Sequence, residues 1–91
     1  MSRMSGYEAS STWNPGSTLD GDEVAVEVTV AGARLGDFAL CSFSIDVADL
    51  QLRADVTAAN TVTVVLSNST GGTIDLGSGT LRVKVVPYEV I

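Results

Sequence analysis

The sequence contains no histidine, and this absence removes several kinds of active site at once. Ser-His-Asp and Cys-His nucleophile systems need an imidazole base, and many zinc and iron sites use imidazole ligands. The single cysteine, Cys41, permits neither an internal disulfide nor a thiolate cluster. Because Cys41 alternates with Ala39, Phe43 and Ile45, we interpret it as a core residue. We expect no enzymatic activity, no catalytic residue and no cofactor.

Basic residues are also scarce. Five Lys and Arg stand against eleven Asp and Glu, which gives a formal net charge of −6, the wrong sign for binding DNA or RNA. The bases are dispersed along the chain, so an anionic membrane is no better a partner. The sequence has no apolar run of about 18 residues and no apolar secretory core near its beginning. We expect no nucleic-acid or membrane partner, and synthesis in the cytoplasm.

The carboxylates offer few clues to chemistry, because their spacing selects no catalytic pair. Asp20-Gly21-Asp22-Glu23 is the best candidate for a calcium site, but it lacks the spacing of a helix-flanked calcium loop. Acidic residues at the start of a strand more commonly keep a sheet edge soluble, so we assign no metal site. Asn68-Ser69-Thr70 fits a glycosylation acceptor, yet the segment is better explained as part of a turn.

Apolar and polar residues alternate with a period of two in most of the chain after Gly21, which predicts β-strands. The patterns predict strands near residues 23–30, 38–45, 50–57, 61–67 and 81–85, with a short one at 73–76. No helical pattern occurs. The sequence therefore predicts an all-β domain over residues 22–91, a small antiparallel β-sandwich or jelly-roll-like barrel of about 5–6 strands.

Residues 1–21 are rich in Ser, Thr, Gly and Asn and show no period, so we predict an irregular N-terminal arm. The arm is either a mobile terminus or a segment that orders on a partner, with Tyr7 and Trp13 as anchors. Deletion of Met1–Ser17 would then leave the sandwich folded but weaken attachment to the partner. Beyond the last strand, a partner or the domain's own open end could bury the apolar C-terminus. The candidate interface residues are Tyr7, Trp13, Tyr88, Val90 and Ile91.

The segment from about Val24 to Val86 resembles structural proteins of tailed bacteriophages. A small-residue loop ends in Gly36-Asp37-Phe38, residues 59–64 form an Ala-Asn-Thr-Val-Thr-Val hairpin, and residues 75–80 read Asp-Leu-Gly-Ser-Gly-Thr before the closing strand. Such proteins include capsid decoration proteins, also called cement proteins, and related head-fibre and tail-fibre domains.

This resemblance implies a capsid decoration protein that binds the outer surface of a phage head and stabilises it. The expected partners are the major capsid protein and further copies of the chain in a homotrimer, and the expected location is the virion. The alternative is a tail-fibre or head-fibre module that binds a receptor or glycan. Aromatic residues make up only 5% of the chain, which disfavours a sugar platform. The lack of repeats or a shaft-forming segment favours the decoration protein.

Overall fold

A computed structural model describes residues 7–90 of the chain, without the side chain of Val90. These residues form eight β-strands and end in a short 3-10 helix, and they include no α-helix, so the predicted all-β class is confirmed. The strands are β1 Tyr7–Trp13, β2 Ser17–Thr18, β3 Glu23–Thr29, β4 Phe38–Phe43, β5 Gln51–Ala58, β6 Thr61–Ser67, β7 Ile74–Asp75 and β8 Gly79–Val86, and the 3-10 helix is Tyr88–Val90.

Two three-stranded antiparallel sheets form a small β-sandwich. One sheet has the strand order β1-β8-β4 and the other the order β3-β6-β5. The short strands β2 and β7 make a separate antiparallel ladder. Within residues 7–90 no ladder joins the two larger sheets, so the sandwich is the better of the two predicted architectures.

The core lies between the two larger sheets, because each strand turns one alternate set of side chains inward. Val62, Val64 and Leu66 of β6 are fully buried, as their alternation predicts. The central strands β6 and β8 supply most of the core. Its buried cluster consists of Val28, Val30, Ala33, Val62, Val64, Leu81, Val83 and Val85.

The loop between β3 and β4 is fastened to the β5–β6 turn by Asn60. Asn60 adopts a left-handed φ of 61°, which asparagine tolerates better than most residues. Its side-chain Oδ1 accepts a hydrogen bond from Gly32 N at 2.8 Å, and its own N–H donates to Ala33 O at 2.9 Å. The loop that leads into β4 is thereby held in place from its first residues.

The predicted irregular arm over residues 1–21 is wrong for the part that the structure describes. Strand β1 pairs with β8 along its whole length, from Tyr7 opposite Val85 to Trp13 opposite Gly79, and β2 pairs with β7. The ladder is made by the backbone, so an edge strand rich in Ser and Thr can join a sheet with few apolar side chains. Residues 1–6 lie outside the described residues.

Candidate functional site

The outward face of the sheet β1-β8-β4 is the candidate site, and we call it the exposed sheet face. Its three strands place polar and apolar side chains side by side, and no described segment of the chain covers them. Exposed apolar side chains grouped with polar ones are typical of protein interaction sites. The exposed residues that define this face are Glu8, Ser10, Phe38, Leu40, Ser42, Arg82 and Lys84.

A shallow depression of about 460 Å³ occupies the middle of the exposed sheet face. One row of its lining consists of three residues, since Arg82 of β8 lies opposite Ser10 of β1 and opposite Ser42 of β4. The volume is within the range of small-ligand pockets, but the depression is open. It is suited to a flat or extended group more than to an enclosed ligand.

The charges of this face differ from those of the whole chain. Lys84 Nζ lies 3.6 Å from Glu8 Oε1, whereas Arg82 has no ion-pair partner among residues 7–90. One carboxylate and two cations therefore share the face, although the chain carries a net charge of −6. The outward face of the opposite sheet carries three carboxylates and one arginine, which are Glu23, Glu27, Asp55 and Arg53. The exposed sheet face is thus the cationic side of an acidic sandwich.

Large apolar side chains are exposed at the beginning of β4. Phe38 and Leu40 point to the same side of the strand and are 49% and 60% exposed. Leu35, in the loop before β4, is 64% exposed, and Tyr88 is 50% exposed. We call these four residues the apolar patch. Burial of such side chains against a partner is favourable, because it removes apolar surface from water.

Tyr88 is held at this end of the sheet by Asp37. The two carboxylate oxygens of Asp37 accept hydrogen bonds from Tyr88 N at 3.2 Å and from Arg34 N at 3.0 Å. Arg34 Nη2 in turn donates to both carboxylate oxygens of Glu89, at 2.6 and 2.8 Å, and its guanidinium lies 5.9 Å from the Tyr88 ring centroid. The position of Tyr88 is therefore set by the loop that leads into β4.

Two other predicted interface residues, Tyr7 and Trp13, lie outside the apolar patch. Tyr7 and Trp13 are half-buried and pack against the core of their own domain, where Trp13 contacts Phe43. The side chain of Val90 and the whole of Ile91 lie outside the described residues. Of the three predicted residues whose side chains the structure describes, only Tyr88 is in the apolar patch.

Phe38, Leu40 and Arg82 are surface residues that the sequence patterns did not single out, although a signal was present. The interpretation of Ala39, Cys41 and Phe43 as inward residues already turns Phe38 and Leu40 outward. An apolar residue at an outward strand position breaks the usual alternation of apolar and polar residues. Two apolar residues at successive outward positions indicate an interaction surface. Arg82 gives no such signal, because its isolation from carboxylates depends on the folded structure.

The remaining candidates for chemistry serve the fold. Asp20 Oδ1 accepts a hydrogen bond from Gly71 N at 2.9 Å, and residues 7–90 contain no group of three or more possible metal-ligating side chains. The Asn68 side chain is buried in its turn, as expected for a structural residue. Burial, with a smaller contribution from the charge of Asp55, raises the pKa of the Cys41 thiol, which disfavours a reactive thiolate.

No family model matches this chain, and no curated protein matches it. In the part of the chain that the structure describes, no helix is long and apolar enough to span a membrane. The function has to be inferred from the surface of the chain itself.

Proposed function

We propose that this chain is a capsid decoration protein of a tailed bacteriophage, and that it docks on the outside of the head through the exposed sheet face. The observation that carries the proposal is the apolar patch, where Phe38 and Leu40 stand exposed side by side on β4. The patch adjoins Lys84, which lies opposite Leu40 on the neighbouring strand. An apolar centre with a charged rim is the usual composition of a protein interface.

The partners in this proposal are the major capsid protein and further copies of the same chain, in a homotrimer. One such sheet face is small, so a single contact would be weak. A trimer places three faces on one patch of the lattice, and linked contacts bind far more tightly than each does alone. The chain would be made in the host cytoplasm and function on the virion surface.

The experiment that tests the proposal uses heads of the encoding phage that lack this chain. Purified chain is mixed with these heads, and bound protein is measured after sedimentation. We expect saturable binding and a higher melting temperature of the heads. Phe38→Ser together with Leu40→Ser should weaken binding by about tenfold or more, because these changes remove the two exposed apolar side chains that β4 contributes to the patch.

The matched control is Leu19→Ser, because Leu19 is also exposed, at 57%, but lies in the β2–β3 loop outside the apolar patch. It should bind heads as the unchanged chain does. Equal binding by the double variant and the unchanged chain would exclude the apolar patch as the docking surface. Failure of the unchanged chain to bind heads would reject the decoration function.

A second candidate function is a tail-fibre or head-fibre module that binds a host receptor or glycan. The depression favours it, since the hydroxyls of Ser10 and Ser42 and the guanidinium of Arg82 could hydrogen-bond a sugar. No aromatic ring lines the depression among the described residues, which counts against a sugar platform. Cryo-electron microscopy of the particle separates the two functions, because density on the tail alone would favour this second one.

A further inference from the structure

Arg82 occupies an unusual position for a cation in an acidic chain. Arg34 pairs with Glu89 and Arg53 with Asp55, and Lys84 pairs with Glu8. Arg82 alone among the basic residues of 7–90 has no carboxylate partner. The chain has eleven acidic residues, yet none of those that the structure describes forms an ion pair with Arg82.

The neighbours of Arg82 across the sheet are neutral hydrogen-bonding groups. Ser10 lies directly opposite Arg82 on one side and Ser42 on the other, so the two serines are its cross-strand neighbours on the same face. The next row towards the sheet end pairs Thr12 with Thr80, which adds no charge. The row on the other side contains Glu8, but this carboxylate lies beside Lys84.

We propose that Arg82, with Ser10 and Ser42, binds a carboxylate presented by an extended peptide segment of a protein partner. A guanidinium offers its N–H groups in a planar fork that matches the two oxygens of a carboxylate. The serine hydroxyls can donate to the same oxygens from either side. The depression supplies the space above this row.

The occupant is a peptide because the depression continues into the apolar patch. Leu40 lines the depression, and Phe38 stands two residues before it on the same side of β4. An Asp or Glu that reaches Arg82 therefore places an apolar residue two positions along the same extended segment over Leu40. In such a segment the acidic and the apolar residue are two positions apart, because only alternate side chains of an extended strand share one face. The inference rests on the proposed function only in that its partner is a protein.

The test uses the full-length chain labelled with ¹⁵N and a capped peptide of sequence Gly-Ser-Leu-Ser-Glu-Ser-Leu-Ser-Gly as the probe, in which each Leu lies two positions from the Glu. The expected result is a set of chemical-shift changes at Ser10, Ser42 and Arg82, including the Arg82 side-chain Nε–H. A second peptide with Gln in place of Glu should bind about fivefold more weakly or worse, because a neutral amide cannot form the charged pair.

Substitutions of the arginine give the second part of the test. Arg82→Gln should remove the preference for the Glu peptide, and Arg82→Lys should restore only part of it, since an ammonium lacks the planar fork. The matched control is Arg53→Gln, which removes an exposed arginine from the opposite sheet and should leave the preference unchanged.

Three results would overturn the inference. Equal binding of the Glu and Gln peptides would exclude a carboxylate site, and equal losses in Arg82→Gln and Arg53→Gln would show a general charge effect. A stronger response at Arg82 to sodium glucuronate than to the peptide would assign the site to an acidic sugar.

Failure of this inference is distinguishable from failure of the proposed function. If the unchanged chain binds heads while the peptide gives no response, the decoration function stands and the carboxylate site is rejected. If the peptide binds at Arg82 while the chain does not bind heads, the carboxylate site stands and the decoration function is rejected.

Discussion

Trp13 and Phe43 meet edge to face, with ring centroids 5.7 Å apart and an angle of 61° between the ring planes. The two rings come from β1 and β4, the strands on either side of β8. The contact therefore links both outer strands of the sheet across its central strand. Aromatic pairs in this geometry stabilise a fold by about 0.5–1.5 kcal/mol beyond the area they bury.

Removal of the Trp13 ring should destabilise the domain strongly. We expect Trp13→Ala to lower the free energy of unfolding by about 3 kcal/mol, measured by urea unfolding with circular dichroism. Thr12→Ala, an exposed neighbour in the same strand, should change it little.

Deletion of residues 1–17 should unfold the chain, because it removes β1 from β8. Retention of the strand signal after this deletion would contradict the role assigned to β1.

Gly32 should tolerate no side chain, for two separable reasons. Its φ is +94°, and a Cβ atom there would lie 2.8 Å from Tyr7 Cε1, whereas at Gly16, with φ +73°, a Cβ atom meets nothing within 4 Å. Gly16→Ala thus measures backbone strain alone, at about 1–2 kcal/mol. Gly32→Ala should cost about 1–3 kcal/mol more, owing to the contact with the ring.

The contribution of the Tyr7 ring is isolated by repeating Gly32→Ala in a Tyr7→Ala background. In that background, the loss of unfolding free energy caused by Gly32→Ala should fall towards the loss caused by Gly16→Ala, as measured by thermal and urea unfolding. An unchanged cost in that background would show that the ring does not cause the loss.

Asn68 holds together the turn between β6 and β7. Its buried side-chain Nδ2 donates to Thr18 O at 2.7 Å and to Gly72 O at 2.8 Å, and its Oδ1 accepts from Thr70 N at 2.9 Å. Asn68→Asp should lower the free energy of unfolding by about 2–4 kcal/mol, because a carboxylate cannot donate to either carbonyl. Ser69→Ala, at an exposed neighbouring position, is the control and should have little effect. Equal stability of both variants would contradict this role.

The raised pKa of Cys41 predicts how stability depends on pH. Burial raises the pKa of the folded thiol above its ordinary value of 9.0, and the charge of Asp55 adds to the effect. The unfolded state therefore loses its proton first as the pH rises. The contribution of this thiol to stability is complete below the thiol pKa of the unfolded chain. It is lost as the pH rises through the thiol pKa of the folded chain.

We therefore expect the free energy of unfolding to fall above about pH 9 more steeply in the unchanged chain than in Cys41→Ala. The thiol should also react slowly with a disulfide reagent in the folded protein and rapidly in urea. Identical pH profiles for the two proteins would exclude Cys41 as the cause.

Much of the strand content follows from local patterns. Alternation predicts Thr61–Ser67 with its correct ends, since a strand with Val62, Val64 and Leu66 on one side must bury that side. The alternation of Ala39 and Cys41 likewise gives the inward face of β4. By contrast, Tyr7–Trp13 shows only a broken strand pattern, because Ser11 interrupts the alternation of Tyr7, Ala9 and Trp13.

The sequence alone determined that this chain is an acidic all-β protein without histidine chemistry, because composition and alternation are local properties of the chain. Only the tertiary structure decided that β1 lies beside β8 and that Ser10, Arg82 and Ser42 share one row. The physical reason is that strand pairing joins backbone groups far apart in sequence. Every residue except proline has the same backbone hydrogen-bonding groups. Side-chain patterns therefore specify which face of a strand is buried, but they specify much less strongly which two strands pair.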